Sequence, residues 1–238
     1  MKLPQPLLRG TLIKRYKRFL TDIELETGEL ITAHCANPGS MMGLKTPGLT
    51  CWVSKSNNPK RKLKHSLELL EADGALVGIN TNNPNRIAFE AIEQNLIQAL
   101  AGYENIRREV KYGENSRIDI LLEAADRPPC YVEVKNCHLM RTAGLAEFPD
   151  SVTNRGAKHL QELINQVQQG NRAVMLFIIQ RPDCFSFDTA ADIDPKYHDG
   201  LRQAAAAGVE VLCYACDLSL EDITLSAQRP WVGAPKND

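Results

Sequence analysis

The sequence predicts an α/β (α+β) protein in two parts, a small β-barrel at the front and an α/β domain with a mixed sheet behind it. Three observations carry that reading. Short β-type runs separated by turn clusters fill the chain up to residue 83, and helical and strand periodicities alternate after it. Charge divides at the same place: residues 1–83 hold 12 Lys/Arg against 7 Asp/Glu, and residues 84–238 hold 16 against 22. Residues 173–179 (AVMLFII) form an unbroken apolar run, the pattern of a strand buried on both faces.

In the front part, Leu7–Ile13 and Phe19–Leu25 read as strands. Glu26-Thr27-Gly28 turns the chain, and Glu29–His34 returns as the second arm of a hairpin. Asn37-Pro38-Gly39-Ser40 and Thr46-Pro47-Gly48 are turn clusters, and Leu49–Ser54 and Ala75–Ile79 are further strands. Five short strands suit a barrel of the OB type, and an SH3-like barrel fits nearly as well. The boundary falls at Thr81–Arg86 (TNNPNR), giving domains at 1–83 and 84–238. Beyond it the spacing predicts a helix over Arg86–Leu100 stopped by Gly102. Strands follow at Arg107–Tyr112, Arg117–Leu122 and Cys130–Lys135, the last two joined by a turn at Asp126-Arg127-Pro128-Pro129. Leu160, Leu163, Ile164 and Val167 place a helix over Thr153–Gln169 ending at Gly170. A helix over Pro195–Ala207 and a strand over Val209–Tyr214 complete the order.

Of the 238 residues, 43% are hydrophobic and 24% charged, enough for a packed core and too apolar for a disordered chain. The net charge of −1 excludes a uniformly basic coat but not a local one. No run of 18 apolar residues predicts a membrane span, and the first residues lack the apolar core of a secretory signal. With seven cysteines in no framework spacing, the expectation is a reduced, cytoplasmic protein.

The sharpest chemical feature is Tyr131-Val132-Glu133-Val134-Lys135. Alternate residues of a strand share a face, so Glu133 and Lys135 point one way and the two valines point into a core. If the preceding strand pairs with this one, Asp119 lies near Glu133. Two adjacent carboxylates repel unless a proton or cation sits between them. Mg²⁺ or Mn²⁺ is the expected cation, because hard divalent ions take oxygen ligands and retain water for chemistry. Glu90 joins the set if its helix packs on the same sheet face. The candidate metal ligands are therefore Asp119, Glu133 and Glu90, with Lys135 placed to offset charge on a phosphate. Glu-x-Lys on a strand also serves as a plain salt bridge, and Glu90 alone suits a solvated helix face.

Asn154–His159 opens the second long helix, where free N–H groups and the helix dipole attract anions. Arg155 and Lys158 would add charge there, whereas nothing adjacent to His159 assigns it a role. Two basic clusters mark the front part, Lys14-Arg15-Tyr16-Lys17-Arg18-Phe19 and Lys60-Arg61-Lys62-Leu63-Lys64. Clustered cations suit phosphates and exposed aromatics suit bases, which predicts DNA binding through Lys14, Arg15, Tyr16, Lys17, Arg18, Lys60, Arg61, Lys62, Lys64 and Arg155. Cys213-Tyr214-Ala215-Cys216 lacks a second pair for zinc, and its cysteines are expected in the core.

LIKRYKRFL (12–20), TAHCANPGSM (32–41), EVKYGENSRID (109–119), YVEVKN (131–136) and FPDSVTNRGAKHL (148–160) are long and idiosyncratic. Through them the chain resembles the bacterial sugar fermentation stimulation proteins over essentially its whole length. The resemblance implies an OB-like N-terminal domain and a C-terminal domain of the PD-(D/E)XK nuclease type. It implies Asp119 at the acidic position, Glu133 and Lys135 as the E-x-K, Glu90 as the helix acid and Lys158 as the later basic residue. It also implies non-specific DNA binding with a regulatory role in sugar, especially maltose, metabolism. The chain departs from the family pattern at Ala36–Pro38 and at Asn136–His138, and neither change removes an expected ligand. Two functions follow: a DNA-binding regulator, or a Mg²⁺-dependent nuclease on DNA or RNA.

Overall fold

A computed structural model describes residues 1–113 and 116–235. The front part is built from β1 (Leu7–Tyr16), β2 (Leu20–Leu25), β3 (Leu30–Cys35), β4 (Thr50–Lys55), β5 (His65–Ala72) and β6 (Ala75–Gly78). β1, β2 and β3 form an antiparallel meander, β1 pairs with β4, and β4 pairs with β5. A parallel pairing of β3 with β5, Ala33 opposite His65, closes the ladder into a five-stranded barrel of OB type, and β6 pairs antiparallel beside β5. Leu12, Ile23, Ala33, Val53, Leu67 and Leu70 fill its interior.

β5 was not expected from the sequence. Leu67, Leu69 and Leu70 do not alternate with polar residues, because the strand is buried on both sides. Leu67 and Leu70 fill the barrel, and Leu69 enters a second core shared with the rest of the chain.

The second part contains α1 (Asn83–Glu93), β7 (Asn105–Tyr112), β8 (Ser116–Ala124), β9 (Arg127–Cys137), β10 (Leu139–Thr142) and β11 (Leu145–Phe148). α2 (Asn154–Gln168), β12 (Arg172–Ile179), β13 (Ser186–Thr189), α3 (Pro195–Ala206), β14 (Glu210–Leu218) and β15 (Ile223–Gln228) follow. The large sheet has the order β7-β8-β9-β12-β14-β15, parallel through β9, β12 and β14 and antiparallel on both flanks. β10, β11 and β13 make a small separate sheet.

The apolar run in β12 follows from this layering. Val174, Leu176 and Ile178 pack with Ile87, Ala88 and Ala91 of α1, whereas Met175, Phe177 and Ile179 pack with Leu160 and Leu163 of α2 and Leu201 of α3. Cys213 and Cys216 fall into opposite cores, and all seven cysteines are free and buried. α2 starts where the sequence predicts: the Thr153 hydroxyl accepts from the Gly156 N–H as an N-cap.

α1 ends at Glu93, short of the expected Leu100; Asn95 turns left-handed at φ 55°, and a short 3-10 turn covers Gln98–Leu100. Pro128 and Pro129 lie in the exposed start of β9, where missing N–H groups are tolerated, and not in a turn. No helix among the described residues is long and apolar enough to cross a membrane.

The two parts share one interior. Leu3, Trp52 and Leu69 from the front belong to the same buried cluster as Ile87, Val132 and Leu176. The end of β12 closes the seam. The Gln180 carbonyl accepts from the Gly78 N–H at 2.8 Å, and a Cβ at Gly78 would lie 2.6 Å from Gln180 Oε1. Arg181, 1% exposed, donates to Asp73, Asp183 and the His138 carbonyl.

This shared core predicts linked unfolding. Leu69→Ala should cost about 2–5 kcal/mol through the cavity it leaves. Trp52 and Trp231 report from the two parts, so tryptophan fluorescence and far-UV circular dichroism should give one coincident urea transition, shifted to lower urea in the variant. Two separated transitions would disprove a common core.

Candidate active site

Glu133 sits in the middle of the sheet, on β9 between β8 and β12, and only 2% of it is exposed. As the strand alternation requires, Val132 and Val134 enter the core under α1, and Glu133 faces α2. Its Oε1 accepts from Lys135 Nζ at 2.6 Å and faces His159 Nδ1 on α2. His159 Nε2 accepts from Arg155 Nε at 3.2 Å, so the imidazole links an α2 guanidinium to the β9 carboxylate. Burial works to raise the Glu133 pKa, but the Lys135 and His159 partners outweigh it and hold the carboxyl below its usual range. Its other oxygen, Oε2, is buried without a hydrogen-bond partner.

Asp119 reaches the same place from β8. The β8–β9 pairing includes Ile120 opposite Val132 but no pair beyond it towards Glu133. There the Asp119 side chain substitutes for the ladder, its Oδ2 accepting from the Val134 N–H at 2.8 Å. Its Oδ1 accepts from Asn85 on the first turn of α1 at 2.7 Å. Burial, with the Glu133 charge beside it, pushes its pKa up to about 6. Asp119, Asn85, Arg155, Lys158 and His159 line a cavity of about 610 Å³ at the N-terminal end of α2.

The structure brings Asp119, Glu133, Lys135, Arg155 and Lys158 to one place. Glu90 does not join them. It lies further along α1, where its carboxylate pairs with the Met1 ammonium at 3.0 Å and with Arg86 at 2.8 Å. The α1 residue that meets Asp119 is Asn85, five residues nearer the helix start, and it carries no charge. Sequence reasoning also passed over His159, because its partner is 26 positions away and on another element.

The two basic clusters lie at one end of the barrel. The β1–β2 turn holds Lys17, Arg18 and Phe19, and the β4–β5 loop holds Lys60 to Lys64. Leu20 pairs with His34 and Ala33 with His65, which places both loops at the same rim. Lys17, Arg18, Lys60 and Lys62 are exposed. The other cluster residues are engaged. Arg15 donates to the Asn37 and Gly39 carbonyls, and Tyr16 and Lys14 pair with Asp22. Arg61 donates to Ser66, and Lys64 to the Asn58 and Pro59 carbonyls. Phe19 is 41% exposed and stacks on His34 with ring centroids 6.2 Å apart.

The Asn37–Ser40 loop, which had no role from sequence, joins this rim to the second part. Ser40 Oγ donates to the Asp150 carbonyl at 2.6 Å and the Met41 N–H to its carboxylate at 3.0 Å. Any Cβ at Gly39 would lie 2.3 Å from that carboxylate, so only glycine permits the approach.

A family model described as the sugar fermentation stimulation protein RE domain matches residues 82–222, and one described as the N-terminal OB domain of the same family matches residues 13–79. The chain belongs to the sugar fermentation stimulation protein family. A homolog from Maricaulis maris is 62% identical over 92% of this chain and 93% of its own. Another from Caulobacter vibrioides is 51% identical over 97% of each. The solved structure of a Pyrococcus furiosus member, described in complex with Ca²⁺, superimposes with a TM-score of 0.87 at 28% identity over 97% of both chains. The β3–β5 closure agrees with the OB assignment of the front part.

Among the described residues no three His, Cys, Asp or Glu side chains are grouped to hold a metal ion. Asp119 and Glu133 nevertheless suit a hard cation. They supply two carboxylates, one buried oxygen without a partner, and an acid whose pKa is raised in part by its neighbour's negative charge. Such ions keep several waters, so two protein ligands suffice.

The raised Asp119 pKa has a stability consequence without metal. Its contribution is fully present below the unfolded value of about 3.9 and is lost as pH rises through about 6. In EDTA, wild type should lose up to about 3 kcal/mol relative to Asp119→Asn between pH 4 and 6.5. Urea midpoints of the two proteins across that range measure it; parallel pH curves would contradict it.

Proposed function

We propose that the protein binds nucleic acid without sequence preference at the loop rim of its barrel. It brings a phosphodiester to the Asp119–Glu133 cleft for divalent-cation-dependent hydrolysis. One observation carries this reading: a buried carboxylate with an unpartnered oxygen lies beside a second acid, below a cavity lined by Arg155 and Lys158. A strand acid, an E-x-K strand and a following basic helix support a PD-(D/E)XK-type nuclease core. Asp119 and Glu133 would hold Mg²⁺ or Mn²⁺, and the Ca²⁺ described for the Pyrococcus furiosus relative supports a hard divalent ion here. Bound there, the cation would acidify a water and offset charge on the phosphoryl oxygens.

The protein's own groups do the rest. Arg155 and Lys158, with the free N–H groups of the α2 start, attract the phosphate. Lys135 Nζ, held at 2.6 Å by Glu133 Oε1, keeps a further N–H for a phosphate oxygen. His159 steadies Glu133 from α2 and, after Lys135, helps hold its carboxyl ionised against the cost of burial.

A second reading, a DNA-binding regulator of sugar (maltose) metabolism acting in the cytoplasm, is favoured by the exposed Lys17, Arg18, Lys60 and Lys62 around Phe19. The two readings are compatible, because a nuclease must also hold its substrate.

Labelled single- and double-stranded DNA should be cut with Mg²⁺ or Mn²⁺, and Asp119→Ala and Glu133→Gln should each lower the rate at least about 100-fold. Binding without metal-dependent cleavage in wild type would leave the regulator reading alone. Binding in EDTA should weaken steeply with salt. Changing Lys17, Arg18, Lys60 and Lys62 together to Ala should reduce the log–log salt slope by up to about 3–4. An unchanged slope in the folded variant would remove the barrel rim from the interface.

A further inference from the structure

A second cavity, of about 330 Å³, opens between the barrel rim and the second part, and the phosphodiester site does not use it. Its floor holds His138, 5% exposed, whose ring Nε2 is buried without a hydrogen-bond partner. A relay of amides sets the state of that nitrogen. Gln180 donates to Asn136 Oδ1, which leaves the Asn136 amide N–H facing His138 Nδ1 at 2.8 Å. An amide nitrogen only donates, so Nδ1 accepts and the neutral ring carries its proton on Nε2. That N–H stands 3.6 Å from the Asp150 carboxylate, too far to bond to it. One unused donor, buried in the cavity wall, therefore lies near the Asp150 carboxylate, which accepts from the Met41 N–H at 3.0 Å and keeps further lone pairs. Around them, Pro38, Phe148, Pro149 and the 69% exposed Val152 are apolar, and Arg18 from the basic rim adds a cation.

We propose that this cavity takes the base of an unpaired nucleotide whose backbone leads to the Asp119–Glu133 cleft. The inference rests on the nucleic-acid reading above and adds a substrate class to it. A base is flat, with apolar faces for Pro and Phe walls and an edge that alternates donors and acceptors. On thymine, for example, N3–H would donate to Asp150 while a neighbouring carbonyl accepts from His138 Nε2–H. That edge is occupied in a duplex, so the cavity selects single-stranded or flipped-out nucleotides. Placement agrees: Thr153, the cap of α2, lines this cavity, and Arg155, Lys158 and His159 of the first turns line the other.

The test compares hexathymidylate with a six-residue abasic deoxyribose-phosphate strand of equal charge, both fluorescein-labelled, by anisotropy in EDTA with full-length protein. Wild type should bind the thymidylate at least about tenfold more tightly. That ratio should fall towards one in His138→Phe and in Val152→Asp. The second change is at an exposed mouth position and keeps the test decisive if the first variant does not fold. A wild-type ratio near one, or a ratio unchanged in folded variants, overturns the base cavity while leaving nucleic-acid binding intact. If neither strand binds, the nucleic-acid reading is overturned instead, and the cavity's role with it.

Discussion

A carboxylate in the centre of a sheet is costly unless opposite charge is brought to it, and much of the second part is arranged around that requirement at Glu133. Lys135 supplies a cation from the same strand, and α2 supplies His159 with Arg155 behind it. These contacts need α2 to start where Thr153 caps it and to cross the sheet over β9. They also leave one Glu133 oxygen without a partner beside Asp119. Removing the partners would leave a buried charge uncompensated, so the contacts that hold the fold here also set the geometry of the proposed site.

The barrel is placed against that site by a seam with both apolar and polar parts. Trp52 and Leu69 extend the core below α1 across the seam, and Arg181 satisfies three acceptors at its centre. The Asn37–Ser40 loop then fixes the barrel rim to Asp150 through a contact that only glycine at position 39 allows. Arg15, which looks from sequence like a phosphate ligand, is spent on the carbonyls of that loop. The exposed cations that remain stand on two loops at one rim of the barrel.

Legibility differed between elements for physical reasons. α2 was readable because its apolar spacing, its cap and its terminal glycine all agree. β12 was readable because a strand covered on both faces has no polar alternation to hide it. β5 was hidden for the same cause: it lies in two cores at once, and its leucines mimic helical spacing. The short strands β10, β11, β13 and β15 gave little local signal, since four to six residues at a sheet margin are held by pairing more than by their own pattern. Asp119, Glu133 and Lys135 could be found because strand alternation puts them on one face. Glu90 was misplaced because a helix residue's direction depends on how the helix packs.

The sequence by itself determined the two-part organisation, the barrel-then-sheet order, the family and the E-x-K strand, because periodicity, turn chemistry and charge are local properties of the chain. Only the tertiary structure decided which cations are free and which are tied to carbonyls, that Asn85 and not Glu90 meets Asp119, and that His159 touches Glu133. It alone decided that His138 keeps an unused donor at a cavity between the parts. Each of those facts depends on where residues far apart in the chain come to rest, and packing sets that distance where spacing cannot.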